Sequence, residues 1–237
     1  MKTEFRVLNI EELKKIYNLA TDIVKECKKN NYKYIFMGPN GVKVTDSYRL
    51  AAYAGFFFEK FVAVPYDVIM SIKAVNPFKV EMVKDKFLSF KLIDKNETEI
   101  FTISVVEPNV LIPKFDFLEK ELENYIDCME FGRQELKEAL EICAKYSNSC
   151  IFDLMEQRVK LEAVENDEIL HSIKMGVVKK TRPFKIVLDP NYVLNYVKKA
   201  SNSITIKISF RNSSSFVHMK EYGKAYDFIL MPIAFRD

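Results

Sequence analysis

The chain of 237 residues carries one pattern of predicted secondary structure twice, and this duplication limits the folds it can adopt. Near the start, apolar residues recur at helical spacing after Asn9, a helix-capping residue type, with Glu12 three positions on. The spacing returns around Leu136, and the segments that begin at Glu12 and Glu135 align at an offset of 136 − 13 = 123 residues. Units this long indicate a duplicated domain rather than a solenoid, whose repeats are shorter.

A second, shorter helix is predicted in each half, over Pro65–Ala74 and Pro190–Ala200. Proline suits the first helical position, where no N–H donor is needed. Strands are predicted from apolar alternation between turn signals. In the first half they are Tyr34–Met37, Val42–Asp46, Leu50–Phe58, Phe78–Val83, Phe87–Ile93 and Glu99–Val105. In the second half they are Cys150–Leu154, Val159–Val164, Ile169–Val178, Ile204–Phe210, Ser215–Met219 and Ala225–Leu230.

These elements predict an α+β fold of two tandem, repeated domains, each with two helices packed on antiparallel β-sheets. We expect the boundary in the polar stretch Leu118–Asp127, which gives domains of residues 1–120 and 121–237. Duplicated domains suit ring assemblies, because similar surfaces can meet head to tail and close.

Composition narrows the class of protein. Hydrophobic residues make up 49% and charged residues 29% of the chain, as in soluble globular proteins. No apolar run approaches the ~18 residues that span a membrane, and no signal peptide is recognisable, so we expect a cytoplasmic protein. Cys27, Cys128, Cys143 and Cys150 lack metal-binding spacing and are predicted to be buried, reduced thiols without zinc or another cofactor. The net charge of +3 is too small to indicate nucleic-acid binding by itself.

No catalytic motif is recognisable in the sequence, whether a phosphate loop, a dinucleotide fingerprint, a zinc-protease helix or a nucleophile elbow. Asp153 and Glu156 would suit a metal-dependent nuclease, but no cluster of metal ligands accompanies them, and surface charge is the better interpretation. We therefore expect a protein that is not an enzyme.

Three segments lie in register with motifs of one known family. Thr45–Ala51 resembles a T-D-G-x-R-L-A signature, Pro190–Ala200 a short helix, and Phe228–Ile233 a closing strand that ends in a Met-Pro pair. Together they resemble the second and third domains of bacterial DNA sliding clamps, the beta subunit of DNA polymerase III. The resemblance covers nearly the whole chain. It departs from the family in lacking a counterpart of the first domain and in having Ser47 where the signature has glycine.

The resemblance implies a processivity factor that encircles double-stranded DNA without reading its sequence and tethers a replicative DNA polymerase and a clamp loader. Family rings contain six domains, so chains of two domains would form a homotrimer. Helices line the pore in the family, and basic side chains on them attract phosphates. The DNA-facing residues implied here are Lys14, Lys15, Lys25, Lys28, Lys29, Lys73, Arg133, Lys137, Lys145, Lys198 and Lys199.

The resemblance also implies an apolar cleft that binds short linear peptides of partner proteins. The matching positions are Thr45, Ser47, Tyr48, Arg49, Leu50, Pro113, Ile229, Met231, Pro232 and Ile233. Methionine gives such a surface adaptability, and Arg49 would bind peptide carbonyls or a carboxylate. Two alternatives stay open: Thr45–Ala51 as an ordinary turn with local bonds from Asp46 and Ser47, and the protein as a non-ring adaptor or decoy that binds clamp-type peptides.

Overall fold

A computed structural model of the chain contains two compact units, Met1–Pro113 and Lys114–Asp237. The structure describes residues 3–24, 33–106, 108–116, 120, 125, 127–153, 159–166, 168–176, 185–200, 204–212, 215–220 and 226–233. The domain limits expected from the sequence, 1–120 and 121–237, stay a prediction, because much of the segment around that boundary lies outside the described residues.

The first unit begins with a strand that runs directly into a long helix. In chain order its elements are β1 (Glu4–Asn9), α1 (Ile10–Val24), β2 (Tyr34–Gly38), β3 (Gly41–Thr45), β4 (Arg49–Tyr53), β5 (Val62–Pro65), α2 (Tyr66–Val75), β6 (Lys79–Lys84), β7 (Leu88–Ile93) and β8 (Glu99–Val105).

The second unit repeats this order of strands and helices. Its elements are β9 (Asp127–Gly132), α3 (Arg133–Tyr146), β10 (Cys150–Asp153), β11 (Val159–Glu165), β12 (Glu168–Met175), β13 (Lys185–Leu188), α4 (Pro190–Lys199), β14 (Thr205–Phe210), β15 (Val217–Lys220) and β16 (Tyr226–Leu230).

Sheet topology repeats as well. In the first unit, antiparallel strands follow the orders β1-β6-β7-β8 and β5-β2-β3-β4. In the second unit the orders are β9-β14-β15-β16 and β13-β10-β11-β12, so adding eight to each strand number converts one unit into the other. The predicted α+β fold of two repeated domains, with two helices and antiparallel sheets in each, is confirmed.

The long helix of each unit is held by its first turn and by an apolar stripe. In α1, the Asn9 side-chain oxygen accepts hydrogen bonds from the backbone N–H groups of Glu11 and Glu12, and the Glu12 carboxylate accepts from the Asn9 N–H. This reciprocal arrangement is the predicted capping box. The buried stripe of α1 packs on β3 and β4. In α3 the corresponding stripe packs on β11 and β12, and Cys143 lies within it.

The short helices differ in how they begin. Pro190 occupies the first turn of α4, as predicted, and the Asp189 side chain caps that helix by accepting from the Asn191 N–H. Pro65, by contrast, is the residue before α2 rather than its first helical residue, so the prediction for this proline was wrong by one position. Helix α2 ends at Asn76, which adopts the left-handed conformation common at helix C-termini.

Four strands were not predicted: β1, β5, β9 and β13. The predicted strand Leu50–Phe58 is also too long, since β4 ends at Tyr53 and Phe57 and Phe58 are buried in irregular backbone. Cys143 and Cys150 are buried free thiols, as expected, whereas Cys27 lies outside the described residues. Among the described residues, no helix combines the length and apolar character that crossing a membrane requires.

Candidate functional site

The turn between β3 and β4, together with the strand ends that flank it, contains five of the predicted peptide-binding residues, and local hydrogen bonds fix its backbone. The Thr45 hydroxyl donates to the Arg49 carbonyl at 2.9 Å and accepts from the Ser47 N–H at 3.2 Å. The Arg49 carbonyl also accepts from the Asp46 N–H at 3.3 Å. The predicted alternative, a turn with local bonds from Asp46, is therefore present as geometry. A fixed loop of this kind is compatible with a binding role.

Asp46 is the centre of this loop, although the sequence analysis did not include it among the binding residues. One carboxylate oxygen accepts from the N–H groups of Tyr48 and Arg49, at 3.0 and 2.9 Å. The other accepts from Arg49 Nε at 2.8 Å. Asp46 and Arg49 are both buried, and removing one partner of a buried ion pair typically costs about 3–5 kcal/mol. A sequence signal for this role exists: an aspartate at the start of a turn commonly accepts hydrogen bonds from the backbone N–H groups two and three residues later.

Burial separates the residues of this loop into two groups. Thr45, Arg49 and Leu50 are buried and hold the hairpin, whereas Ser47 and Tyr48 are exposed. Arg49 Nε is bonded within the loop, so the geometry gives this side chain a structural role; its expected contact with a bound peptide stays a prediction. Tyr48 is the large exposed side chain of the loop.

The backbone conformation at Ser47 explains why the family signature has glycine at this position. Its φ angle is +77°, in the left-handed region that residues with a Cβ atom disfavour by about 1–2 kcal/mol. Glycine adopts this conformation without steric cost. The departure from the signature therefore leaves the turn geometry in place but adds local strain.

Four of the five remaining predicted peptide-binding residues lie in the last described segment of the second unit. Ile229 is buried in β16, and the chain continues through Met231, Pro232 and Ile233. The Ile233 N–H donates to the Val187 carbonyl of β13 at 2.9 Å, which ties the segment to the second sheet of its unit. Met231 and Ile233 are nevertheless exposed. Pro113, the last residue of the first unit, is half-buried.

The predicted DNA-facing residues differ in their exposure and in their ion pairs. Lys14 and Lys145 are exposed, and neither forms an ion pair with a described residue. Glu141 Oε1 lies 3.4 Å from Lys198 Nζ and 4.0 Å from Lys137 Nζ, so these two lysines share one carboxylate. Lys25, Lys28 and Lys29 lie outside the described residues.

Three other basic residues lie against neighbouring groups of their own unit. Lys15 Nζ is 5.1 Å from the centre of the Tyr53 ring, and Lys73 Nζ is 5.9 Å from that of Tyr17. Arg133 Nη1 donates to the Val197 carbonyl at 3.4 Å. Such contacts fix a cation near the helix surface without removing its charge.

Acidic residues partly cancel the positive charge of the helices. Helix α1 has two lysines and three acidic residues, α2 has one of each sign, and α3 has three of each. Helix α4, with Lys198 and Lys199, is the one net-positive helix of the four described. Lys199 is half-buried, and burial lowers its pKa to about 8. The helices are therefore less uniformly basic than the list of lysines suggested.

Solved structures identify the fold. The chain matches a DNA polymerase III beta subunit from Thermotoga maritima with a TM-score of 0.79 and 17% identity, over 98% of this chain and 66% of that chain. A DNA polymerase sliding clamp from Pseudomonas aeruginosa matches with a TM-score of 0.78 and 17% identity, over 98% and 67%. The chain has the sliding-clamp fold.

A DNA polymerase III beta chain from Streptococcus pneumoniae agrees, with a TM-score of 0.77 and 16% identity over 99% of this chain and 66% of that chain. The chain thus spans about two thirds of the length of the clamps it matches. No protein-family model and no curated protein matches the sequence. Within the described ranges, no three His, Cys, Asp or Glu side chains are grouped so that they could hold a metal ion.

Replacing Ser47 by glycine should stabilise the protein. The substitution removes about 1–2 kcal/mol of left-handed strain and loses about 0.4–1 kcal/mol through the greater freedom of the unfolded chain, so we expect a net gain of about 0.5–1 kcal/mol. Urea denaturation followed by circular dichroism measures it. Ser47→Ala, which keeps the Cβ atom, is the matched control and should change stability little. Equal midpoints for Ser47→Gly and the wild type would contradict the strain.

The lowered pKa of Lys199 predicts a specific pH dependence of stability. The folded protein releases this proton near pH 8 and the unfolded chain near pH 10.5, so stability should rise with pH across that interval. Urea midpoints at about pH 7.5 and about pH 9.5, below ordinary tyrosine titration, measure the rise. Lys199→Met should be more stable at the lower pH and reduce the rise. Lys198→Met, at the exposed neighbour, should keep it; an unaltered rise in Lys199→Met would refute the assignment.

Proposed function

We propose that this protein is a DNA sliding clamp, a processivity factor whose chains close into a ring around duplex DNA and hold partner proteins there. The observation that carries the proposal is the duplicated sliding-clamp fold, which matches solved clamps over 98% of the chain. Because each chain supplies two units, a ring of six units needs three copies. The expected assembly is therefore a homotrimer of three times 27.7 kDa.

The same proposal assigns peptide binding to the loop Thr45–Leu50 and the segment Ile229–Ile233. Partners would be a replicative polymerase and a clamp loader, each binding through a short linear motif. Exposed Tyr48 supports this role in the first unit, and exposed Met231 and Ile233 support it in the second. Hydrogen bonds fix the backbone that carries these side chains, so little conformational entropy is lost when a peptide binds.

DNA is proposed to contact basic side chains on the helices. Exposed Lys14, Lys145 and Lys198 are the best candidates, since phosphate contacts need a charge that water can reach. Lys199 contributes less, because it is half-buried and its pKa is near 8. The mixed charge of α1–α3 would make this contact loose.

A non-ring adaptor that binds clamp-type peptides is the second candidate function. The near balance of positive and negative charge on three of the four described helices favours it over tight DNA binding. Mass in solution separates the candidates, because an adaptor of this kind stays a monomer at concentrations where a ring is trimeric.

Threading onto DNA tests encirclement directly. A ring that diffuses onto linear duplex DNA from a free end should withstand a high-salt wash once both ends are blocked with streptavidin, and should be lost when the ends stay free. The Lys14→Glu, Lys145→Glu, Lys198→Glu triple variant should bind DNA more weakly. The slope of log affinity against log salt concentration should fall by about one for each lost phosphate contact.

Lys95→Glu is the control for one charge reversal and is compared with each single Lys→Glu variant, because it makes the same substitution in an exposed turn outside the helices. It should thread and bind as the wild type does. If the protein is lost equally from DNA with blocked and with free ends, the adaptor is favoured. If the slope of log affinity against log salt concentration is unchanged in the triple variant, these helix lysines do not contact DNA.

A Met231→Glu variant tests the peptide site. We expect at least a tenfold loss of affinity, or about 1.4 kcal/mol, for a fluorescein-labelled peptide that carries a polymerase clamp-binding motif, because a carboxylate is costly to desolvate in an apolar site. Fluorescence polarisation measures the affinity. Ile204→Glu places the same charge at another exposed apolar position of the unit and should leave binding unchanged. Full affinity in Met231→Glu would exclude this segment from the site.

A further inference from the structure

The methionines of this chain differ sharply in burial. The chain has nine, and seven of them are described, because Met1 and Met155 lie outside the described residues. Five of the seven are at most 2% exposed, namely Met37, Met82, Met129, Met175 and Met219. Met70 of α2 is half-buried, and Met231 is 40% exposed. Among the described methionines, a reagent in water therefore reaches the Met231 side chain most readily.

Met231 lies where the buried strand β16 passes into the proposed peptide-binding segment. Residues 228–230 before it are buried, and Ile233 after it is exposed. The Ile233 N–H donates to the Val187 carbonyl at 2.9 Å, and this bond ties the short segment that includes Met231 to its own unit. The Met231 thioether is therefore exposed on an anchored, mainly apolar segment.

The first unit has valine at the equivalent position. β8 ends at Val105 and β16 ends at Leu230, so Val106 corresponds to Met231 at an offset of 230 − 105 = 231 − 106 = 125 residues. Val106 is also exposed. A hydrocarbon side chain has no sulfur lone pair for an oxidant to accept, so a peroxide that modifies Met231 leaves this equivalent residue unchanged.

We propose that Met231 is a modification site at which peroxide switches off peptide binding. The inference rests on the proposed peptide-binding function and adds a means of regulating it. In the reaction, the Met231 sulfur donates an electron pair to one oxygen of hydrogen peroxide, an S–O bond forms and the O–O bond breaks. The departing hydroxide takes the remaining proton. The products are methionine sulfoxide and water, so sulfur is oxidised by two electrons and peroxide is reduced.

The sulfoxide changes the chemistry of the binding surface. A polarisable thioether adapts to the apolar side chains of a peptide, whereas the sulfoxide oxygen is a hydrogen-bond acceptor that water solvates. Covering this oxygen with an apolar peptide side chain removes the water without supplying a donor, and this loss weakens binding. Because Met231 is exposed, its oxidation should leave the buried core of the unit intact.

Peroxide titration of the full chain tests the switch. The protein is treated with hydrogen peroxide, catalase removes the excess, and mass spectrometry measures the sulfoxide fraction at each methionine. Fluorescence polarisation then measures the affinity for a fluorescein-labelled clamp-binding peptide that lacks methionine and cysteine. We expect the dissociation constant to rise about fivefold or more once Met231 is fully oxidised. The circular dichroism spectrum should stay unchanged.

Two variants and a repair step assign the effect to Met231. Met231→Leu lacks the reactive sulfur, so its dissociation constant should be the same before and after treatment, whatever its starting value. Met70→Leu removes the half-buried methionine of α2 and should lose affinity as the wild type does. Methionine sulfoxide reductases for both epimers, supplied with dithiothreitol, should restore wild-type binding. Dithiothreitol alone, which reverses disulfide and sulfenic-acid formation, should not restore it.

The outcomes separate the switch from the proposed function. An unchanged dissociation constant when Met231 is fully oxidised would overturn the switch and leave the peptide site intact. An equal loss of affinity in Met231→Leu and in the wild type would place the sensitive group elsewhere. Resistance of Met231 to peroxide concentrations that oxidise Met70 would also overturn the proposal. If the untreated protein does not bind the peptide, the peptide-binding proposal and the switch fail together.

Discussion

Backbone hydrogen bonding at the outermost strands is the constraint on which the rest of this structure depends. Every sheet ends in strands whose outer N–H and C=O groups need a partner, and water satisfies them poorly where the adjacent side chains are apolar. In this chain the demand is uneven. β4 and β16 carry buried side chains, whereas β8 and β12 carry exposed isoleucine, leucine and phenylalanine.

Duplication allows the two units to be compared position by position. Two units with one topology repeat the same buried framework, so differences between them report differences in surroundings rather than in fold. Leu19 and Ile23 are covered while Ile142 and Tyr146 are not, although all four occupy equivalent positions on the long helices. The charges diverge in the same way: α1 is net negative and its counterpart α3 is neutral, whereas α2 is neutral and its counterpart α4 is net positive. The two units therefore share their fold and differ in the exposed residues and the charge of their helices.

The helices and twelve of the sixteen described strands follow from periodicity and turn signals, and the four strands that were missed share one cause. β1, β5 and β9 each run directly into a helix, and a single residue, Asp189, separates β13 from α4. Alternation with a period of two then merges with helical spacing, and short strands such as Lys185–Leu188 offer too few residues to separate the two. Burial was equally hard to foresee: sequence patterns identified Arg49 and Lys199 as charged side chains but not the neighbours that enclose them.

The loop at Thr45–Leu50 shows how local and global requirements stay separate in this protein. Its shape depends on bonds within six residues, chiefly those of Asp46, and owes nothing to assembly. The outer edges of β8 and β12 take no part in that loop. A monomeric variant that still binds peptide would behave as the non-ring adaptor, so the two candidate functions differ by one interface rather than by fold.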